Sequence, residues 1–361
     1  MILPDTYAVA LLLAILAAFC WGSWPNAYKL TGKRRFEFFY WDYAFGAVLG
    51  ATVAAFTFGS LGFNFGGDVS GFAFMDDLLR SSKHSMAYGL AGGAVFNLGN
   101  ILLVASASLS GLSLAFPVGL GLAVVVALIF DYAVRPHANP ALVFAVCMIV
   151  AVAVVVDLVA WRILSLARAK EVIKAGRTKS TKPAASWKGM VLAVIGGLTA
   201  GLCYPLEEMS RVPDIGMGPY AAAFMLAMGV FISTFLFNLF FMNLPVQGEP
   251  IELREYFRQP KKLHLLGWAG GIVWAAGTVS YMAASSATAP ATINVVPVPL
   301  LGPGTGHMLV LGAALLTAFY GLLPWREFRD ASVRVRSLGA AMMALMAAGL
   351  ALILLAAPLG R

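Results

Sequence analysis

Apolar runs of about 20 residues recur along the whole chain, separated mostly by short connections. A helix of roughly 20 residues crosses about 30 Å of hydrocarbon, and every backbone polar group must then be satisfied within the span. That requirement leaves a helical bundle as the expected fold, because no stretch shows the ten-residue alternation of a lipid-facing β-barrel. Composition agrees: 60% of the 361 residues are apolar and only 12% are charged, too few to cover a soluble surface. Ten spans are expected, at about 7–28, 38–59, 86–108, 111–133, 140–162, 188–206, 219–242, 264–285, 288–323 and 335–357. The ninth is too long and too rich in Pro and Gly for one straight helix. No basic n-region precedes the first run, so that run reads as a retained span rather than a signal peptide.

The basic residues fix an expected orientation. Lys29, Lys33, Arg34 and Arg35, the cluster from Arg162 to Lys188, the group from Arg254 to Lys262, and Arg326, Arg329, Arg334 and Arg336 all fall in loops on one side. Only Arg80, Lys83, Arg135, Arg211 and Arg361 fall on the other. The basic side is expected to be cytoplasmic, with both termini outside, in the plasma (inner) membrane. The net charge of +8 is thus a topology signal rather than a nucleic-acid footprint. Residues 249–263, with Ile251, Leu253, Tyr256 and Phe257 among charges, read as a short surface helix.

The chain also repeats itself. Gly92-Gly93-Ala94-Val95-Phe96, followed by Gly99-Asn100, is echoed by Gly270-Gly271-Ile272-Val273-Trp274, followed by Gly277-Thr278. Trp24-Pro25 pairs with Tyr204-Pro205, and Pro117-Val118 with Pro297-Val298. Five spans per half make two similar halves cross in opposite senses, an inverted repeat. The expected organisation is a first five-helix repeat at 1–162, a basic cytoplasmic linker at 163–187 and a second repeat at 188–361. Carriers built this way bind their solute at the seam between the halves, commonly where helices are broken.

Candidate site residues follow from that plan. Gly92, Gly99, Gly270 and Gly277 allow close backbone approach. Pro117, Pro297 and Pro299 each remove an N–H and free a carbonyl, tolerated at membrane depth only against protein or a wet cavity. Trp274, Thr278 and Tyr281 share one helical stripe; Asn97, Asn100, Asn294 and Trp24 complete a set of rings and amides suited to a flat, hydrogen-bonding solute. The bland alternative for each polar residue is helix–helix glue. Glu207, Glu208, Asp157 and His307 are the ionisable candidates for proton coupling, since charge at membrane depth is costly.

Other chemistry is not expected. There is no HExxH zinc motif and no phosphate-binding P-loop, and Cys20, Cys147 and Cys203 lie scattered within apolar runs. Neither catalytic residues, metal nor cofactor are expected. The expected partners are a small-molecule solute, the lipid bilayer and protons, and not nucleic acid.

Trp21-Gly22-Ser23-Trp24-Pro25, Tyr40-Trp41-Asp42-Tyr43 and Thr57-Phe58-Gly59 resemble the first two helices of the ureide permeases, ten-helix members of the drug/metabolite transporter superfamily. Gly92-Gly93, Leu98-Gly99-Asn100 and Gly111-Leu112-Ser113 are similar to that family's third and fourth helices, and Arg326-Glu327-Phe328-Arg329 to the step into its last helix. The resemblance implies all-α secondary transport of allantoin, related ureides or nucleobases, of the proton-coupled kind. Glucose and rhamnose porters share the Trp-Gly-Ser-aromatic-Pro type of start. A sugar carrier, or an exporter of metabolites or drugs, therefore stays open as the alternative.

Overall fold

The computed structural model describes residues 1–32, 34–60, 73–134, 139–174, 187–211, 216–288, 300–301 and 304–356. Asn294, Pro297 and Pro299 lie outside the described residues. The helices, in chain order, are α1 (Tyr7–Ser23), α2 (Pro25–Leu30), α3 (Phe36–Phe56), α4 (Phe74–Arg80), α5 (Lys83–Ser110), α6 (Leu112–Val134) and α7 (Pro140–Lys174). They continue with α8 (Trp187–Gly201), α9 (Cys203–Ser210), α10 (Pro219–Asn243), α11 (Leu253–Phe257), α12 (Lys261–Ser285), α13 (Thr305–Leu322) and α14 (Val333–Ala356).

Among the described residues, nine stretches are long and apolar enough to cross a membrane, counting α1 with α2 and α8 with α9 as one stretch each. The protein is an all-α, multi-pass membrane protein. The nine do not include α3, where the second of the ten spans was expected. At 21 residues α3 is long enough to cross, but Glu37 and the Tyr40-Trp41-Asp42-Tyr43 entry interrupt its apolar run near the start. These polar groups are inside the bundle. Asp42 is fully buried; its Oδ2 accepts from Arg34 Nη2 at 2.8 Å, its Oδ1 from the Tyr256 hydroxyl at 2.6 Å, and His264 Nδ1 lies 2.9 Å away. The expected surface helix is the five-residue α11, which Tyr256 ties to α3 through Asp42. Burial, with Asp42 alongside, pushes the Tyr256 phenol above its ordinary range.

Helix pairings repeat across the two halves. Contacts of α3 with α12, α5 with α8, α6 with α8 and α6 with α7 are matched by α10 with α5, α12 with α1, α13 with α1 and α13 with α14. Three further pairs, α3 with α10, α6 with α13 and α7 with α14, join the corresponding helices directly. Glycine sets the closest of these approaches. A methyl group added at Gly93 would lie 2.9 Å from Gly229 Cα, and one at Gly271 would lie 2.8 Å from the Gly46 carbonyl carbon. A methyl group at Gly99 would lie 2.6 Å from Ala200 N on α8, and one at Gly277 would lie 2.8 Å from Cys20 Cβ and 2.9 Å from Trp21 Cδ1 on α1. Gly92 and Gly270 leave more room, at 3.4 and 3.1 Å. At Gly93 and Gly271 the methyl would lie closer still to the carbonyl oxygens of Leu226 and Tyr43, so within each repeat copy the tightest approach falls one residue beyond the first glycine.

Two spans are interrupted at matching places. The first bends at Trp24, between α1 and α2, and Pro25 opens α2 where its missing N–H leaves no bond unmade. Its mate bends at Leu202, and Pro205 falls in the first turn of α9. Pro117 lies inside α6 without ending it. α7 continues to Lys174, well into the stretch expected as a linker.

Candidate functional site

A cavity of about 140 Å³ is bounded by α1, α5, α6, α8, α9, α10, α12 and α13. At roughly 10–15 Å³ per water on such a measure, it holds several waters or one small solute. Both interrupted spans contribute: Trp21 and Trp24 from the first, Tyr204 and Glu207 from its mate. Phe96 and Trp274, the aromatics that correspond in the two repeat copies, stack on one another with centroids 5.1 Å apart and planes 24° apart. The pair joins α5 to α12.

The expected stripe on α12 faces the cavity. Trp274, Thr278 and Tyr281 all line it, and all three are buried within the bundle. Thr278 Oγ1 accepts from Trp21 Nε1 at 3.2 Å and donates back to the Trp274 carbonyl at 3.1 Å. Asn100 lines the opposite wall, its Nδ2 donating to the Tyr40 hydroxyl at 3.1 Å. Trp24 packs against Tyr43 at 4.6 Å and edge-on to Phe116 at 5.5 Å, closing one end with aromatic rings.

Asn97 is placed differently. Its Oδ1 accepts from the Tyr40 hydroxyl at 2.8 Å, and its Nδ2 donates to Ser233 Oγ and Thr234 Oγ1 at 2.8 and 3.0 Å. These bonds join α5 to α3 and α10, away from the cavity lining. Asp157 also lies apart. It is fully buried on α7, and neither carboxylate oxygen has a hydrogen-bond partner among the described residues.

The ionisable groups gather at the end of the cavity away from Trp24. Glu207 lines it; Oε1 is buried without a hydrogen-bond partner among the described residues and lies 3.9 Å from Arg211 Nη1. Arg211 Nη2 donates to Ser285 and Ser286 hydroxyls at 3.1 and 2.7 Å, tying α9 to the end of α12. His307 lines the same end, its ring 5.0 Å from that of Tyr204, with Nε2 3.3 Å from Asp131 Oδ2. Trp21, Phe96, Tyr204 and Asp131 were not among the residues picked from sequence. Phe96 and Tyr204 were nonetheless visible as repeat mates of Trp274 and Trp24.

Beyond the Trp24 end, Glu327 draws three elements together. Its carboxylate accepts the backbone N–H groups of Leu112 and Ser113, each at 2.9 Å, and the Ser113 hydroxyl at 2.7 Å. It thereby satisfies the free donors at the start of α6 and places a negative charge on that helix N-terminus. Lys29 from α2 forms an ion pair with the same carboxylate.

Residues 39–161 match the family model described as Ureide permease. The matched stretch of that family comprises nearly all of α3, then α4 to α6 and the membrane part of α7, so it includes Phe96, Asn100, Phe116 and Asp131. Ureide permease 2 of Arabidopsis thaliana is 28% identical over 143 residues, 39% of this chain and 35% of that protein. The chain thus aligns with about a third of the length of that ureide permease. A solved structure described only as the crystal structure of a protein superposes with a TM-score of 0.50 at 16% identity, covering 97% of this chain and 99% of that one. A likeness of that degree concerns the fold alone.

Proposed function

We propose that this protein is a secondary transporter of a small polar solute, a ureide such as allantoin or a nucleobase-type heterocycle. The observation that carries the reading is the cavity at the seam, where stacked rings face a few amides and hydroxyls. Flat, neutral, amide-rich molecules suit such walls: π faces stack and N–H and C=O edges pair. The ureide permease match supports the solute class. Paired halves with matching contacts support alternating access by two inverted repeats rocking about a central site, with ten crossings when α3 is included. Both termini then lie outside and the basic loops in the cytoplasm. Proton coupling through the ionisable end of the cavity, with Glu207 facing the solute, completes the mechanism.

Counterflow in proteoliposomes tests the reading, using labelled allantoin, uracil, xanthine, glucose and rhamnose in parallel. Accumulation of allantoin or a nucleobase is the expected result. Accumulation of glucose or rhamnose alone would favour a sugar carrier of the same fold, and accumulation of none would defeat the proposed cargo.

A further inference from the structure

The contact between Asp131 and His307 joins α6 to α13, the fourth and ninth of the expected spans and so corresponding helices of the two halves. Both side chains are largely removed from solvent, at 11% and 4% exposure. A carboxylate at such a site is stable only with a partner. With a neutral imidazole the pair carries one negative charge; with an imidazolium it carries none. Either state keeps a hydrogen bond from Nε2–H to the carboxylate, so one proton can be taken up or released without leaving Asp131 unpaired.

Other groups surround the pair. Around the pair, α9 presents Cys203, Tyr204 and Glu207, with Glu208 and Arg211 a turn further on; α12 presents Tyr281, and Tyr132 follows Asp131 on α6. Against α6 and α13, α7 presents Val150 and Val154 with buried Asp157 a turn further on, α14 presents Met346, α8 presents Ala200, and α1 presents Ala14, Ala17 and Cys20, with Ser23 bonded to Tyr320. Arg211 is shared with Glu207 and two serine hydroxyls on its own side. Protonation of His307 offsets the carboxylate charge that Arg211 does not.

We propose that Asp131 and His307 form a proton-carrying pair: His307 meets the solute cavity, and Asp131 is the positioning residue that holds its imidazole across the seam. Because the pair links the two halves, any rocking of one against the other alters the Nε2···Oδ2 contact, and with it the hold on the proton. The carried proton enters His307 from water on one side of the membrane and leaves to water on the other. The proposal rests on the transport reading above.

The test compares two measurements on the same proteoliposomes: counterflow of labelled allantoin at equal pH, and its accumulation driven by an imposed pH gradient. In Asp131→Asn the ratio of driven accumulation to counterflow should fall at least ten-fold relative to wild type, and Asp131→Glu should restore much of it. A merely structural role would lower both measurements together and leave the ratio unchanged, which would overturn the proposal. Failure of Asp131→Glu to raise the ratio above that of Asp131→Asn would overturn it too. Absent counterflow in the wild type, by contrast, defeats the allantoin transport reading itself and the pair's role with it.

Discussion

The half-helices α2 and α9 follow matching interruptions and carry matching prolines in their first turns, yet they serve the cavity in opposite ways. On the α2 side the polar side chains of Asn26, Lys29 and Thr31 have protein partners. Asn26 Oδ1 accepts from Trp325 Nε1 at 2.7 Å, Lys29 pairs with Glu327, and Trp24 at the bend is packed by Tyr43 and Phe116. On the α9 side, Tyr204 and Glu207 face open space and one Glu207 oxygen has no hydrogen-bond partner among the described residues. Two interrupted spans can therefore share a break and a proline while dividing the chemistry. One supplies a packed floor, and the other supplies ionisable groups in contact with whatever enters.

Truncation should expose this difference most strongly. Trp24 is 4% exposed, so Trp24→Ala removes a buried indole from between two rings and should destabilise by about 3–5 kcal/mol. Tyr204 borders the cavity and is only half-buried, so Tyr204→Ala should cost distinctly less, about 1–2 kcal/mol, because few contacts are lost on the open side. Equilibrium unfolding in mixed micelles would compare them. Equal losses would mean that the α9 side is as tightly packed as the α2 side.

The helix crossings make the opposite demand, since there the halves match. Gly93→Ala would push a methyl group into the Leu226 carbonyl of α10, and Gly271→Ala would push one into the Tyr43 carbonyl of α3. Backbone cannot yield as a side-chain tip can, so each change should destabilise by about 1–3 kcal/mol, and by similar amounts. Gly92→Ala, with its nearest neighbour at 3.4 Å, should be close to neutral and serves as the control. A loss in only one of Gly93→Ala and Gly271→Ala would break the correspondence between the halves.

What the sequence made legible follows from how local each signal is. Apolar runs announce helices because a span must satisfy its own backbone. The α12 stripe was legible because Trp274, Thr278 and Tyr281 recur at helical spacing, which fixes their common face. Helical spacing does not say what that face meets, and Asn97 shows the consequence: only three residues from Asn100, it bonds to α3 and α10 instead of the cavity. Asp131 was invisible for a related reason. It looked like an ordinary charge at the end of a span, and its partner is 176 residues away. Glu327 carried no sign of capping α6, because its partners Leu112 and Ser113 belong to the other half. Polar pairs between halves are set by tertiary approach, which spacing within one helix cannot encode.

The smallest effect is expected where the α2 side reaches water. Lys29 is 31% exposed on its side chain while Glu327 is 6% exposed, so the cation of this ion pair stays partly solvated. Lys29→Ala leaves Glu327 its two backbone N–H donors and the Ser113 hydroxyl, so the carboxylate is not orphaned and α6 stays capped. The loss should be below about 1 kcal/mol and should shrink further as salt is raised, as for other half-exposed pairs. Unfolding measured at low and high ionic strength checks both statements. A larger, salt-insensitive loss would show that Lys29 acts as part of the buried floor with Trp24, and the contrast between a sealed α2 side and an open α9 side would then extend to the edge of the bundle.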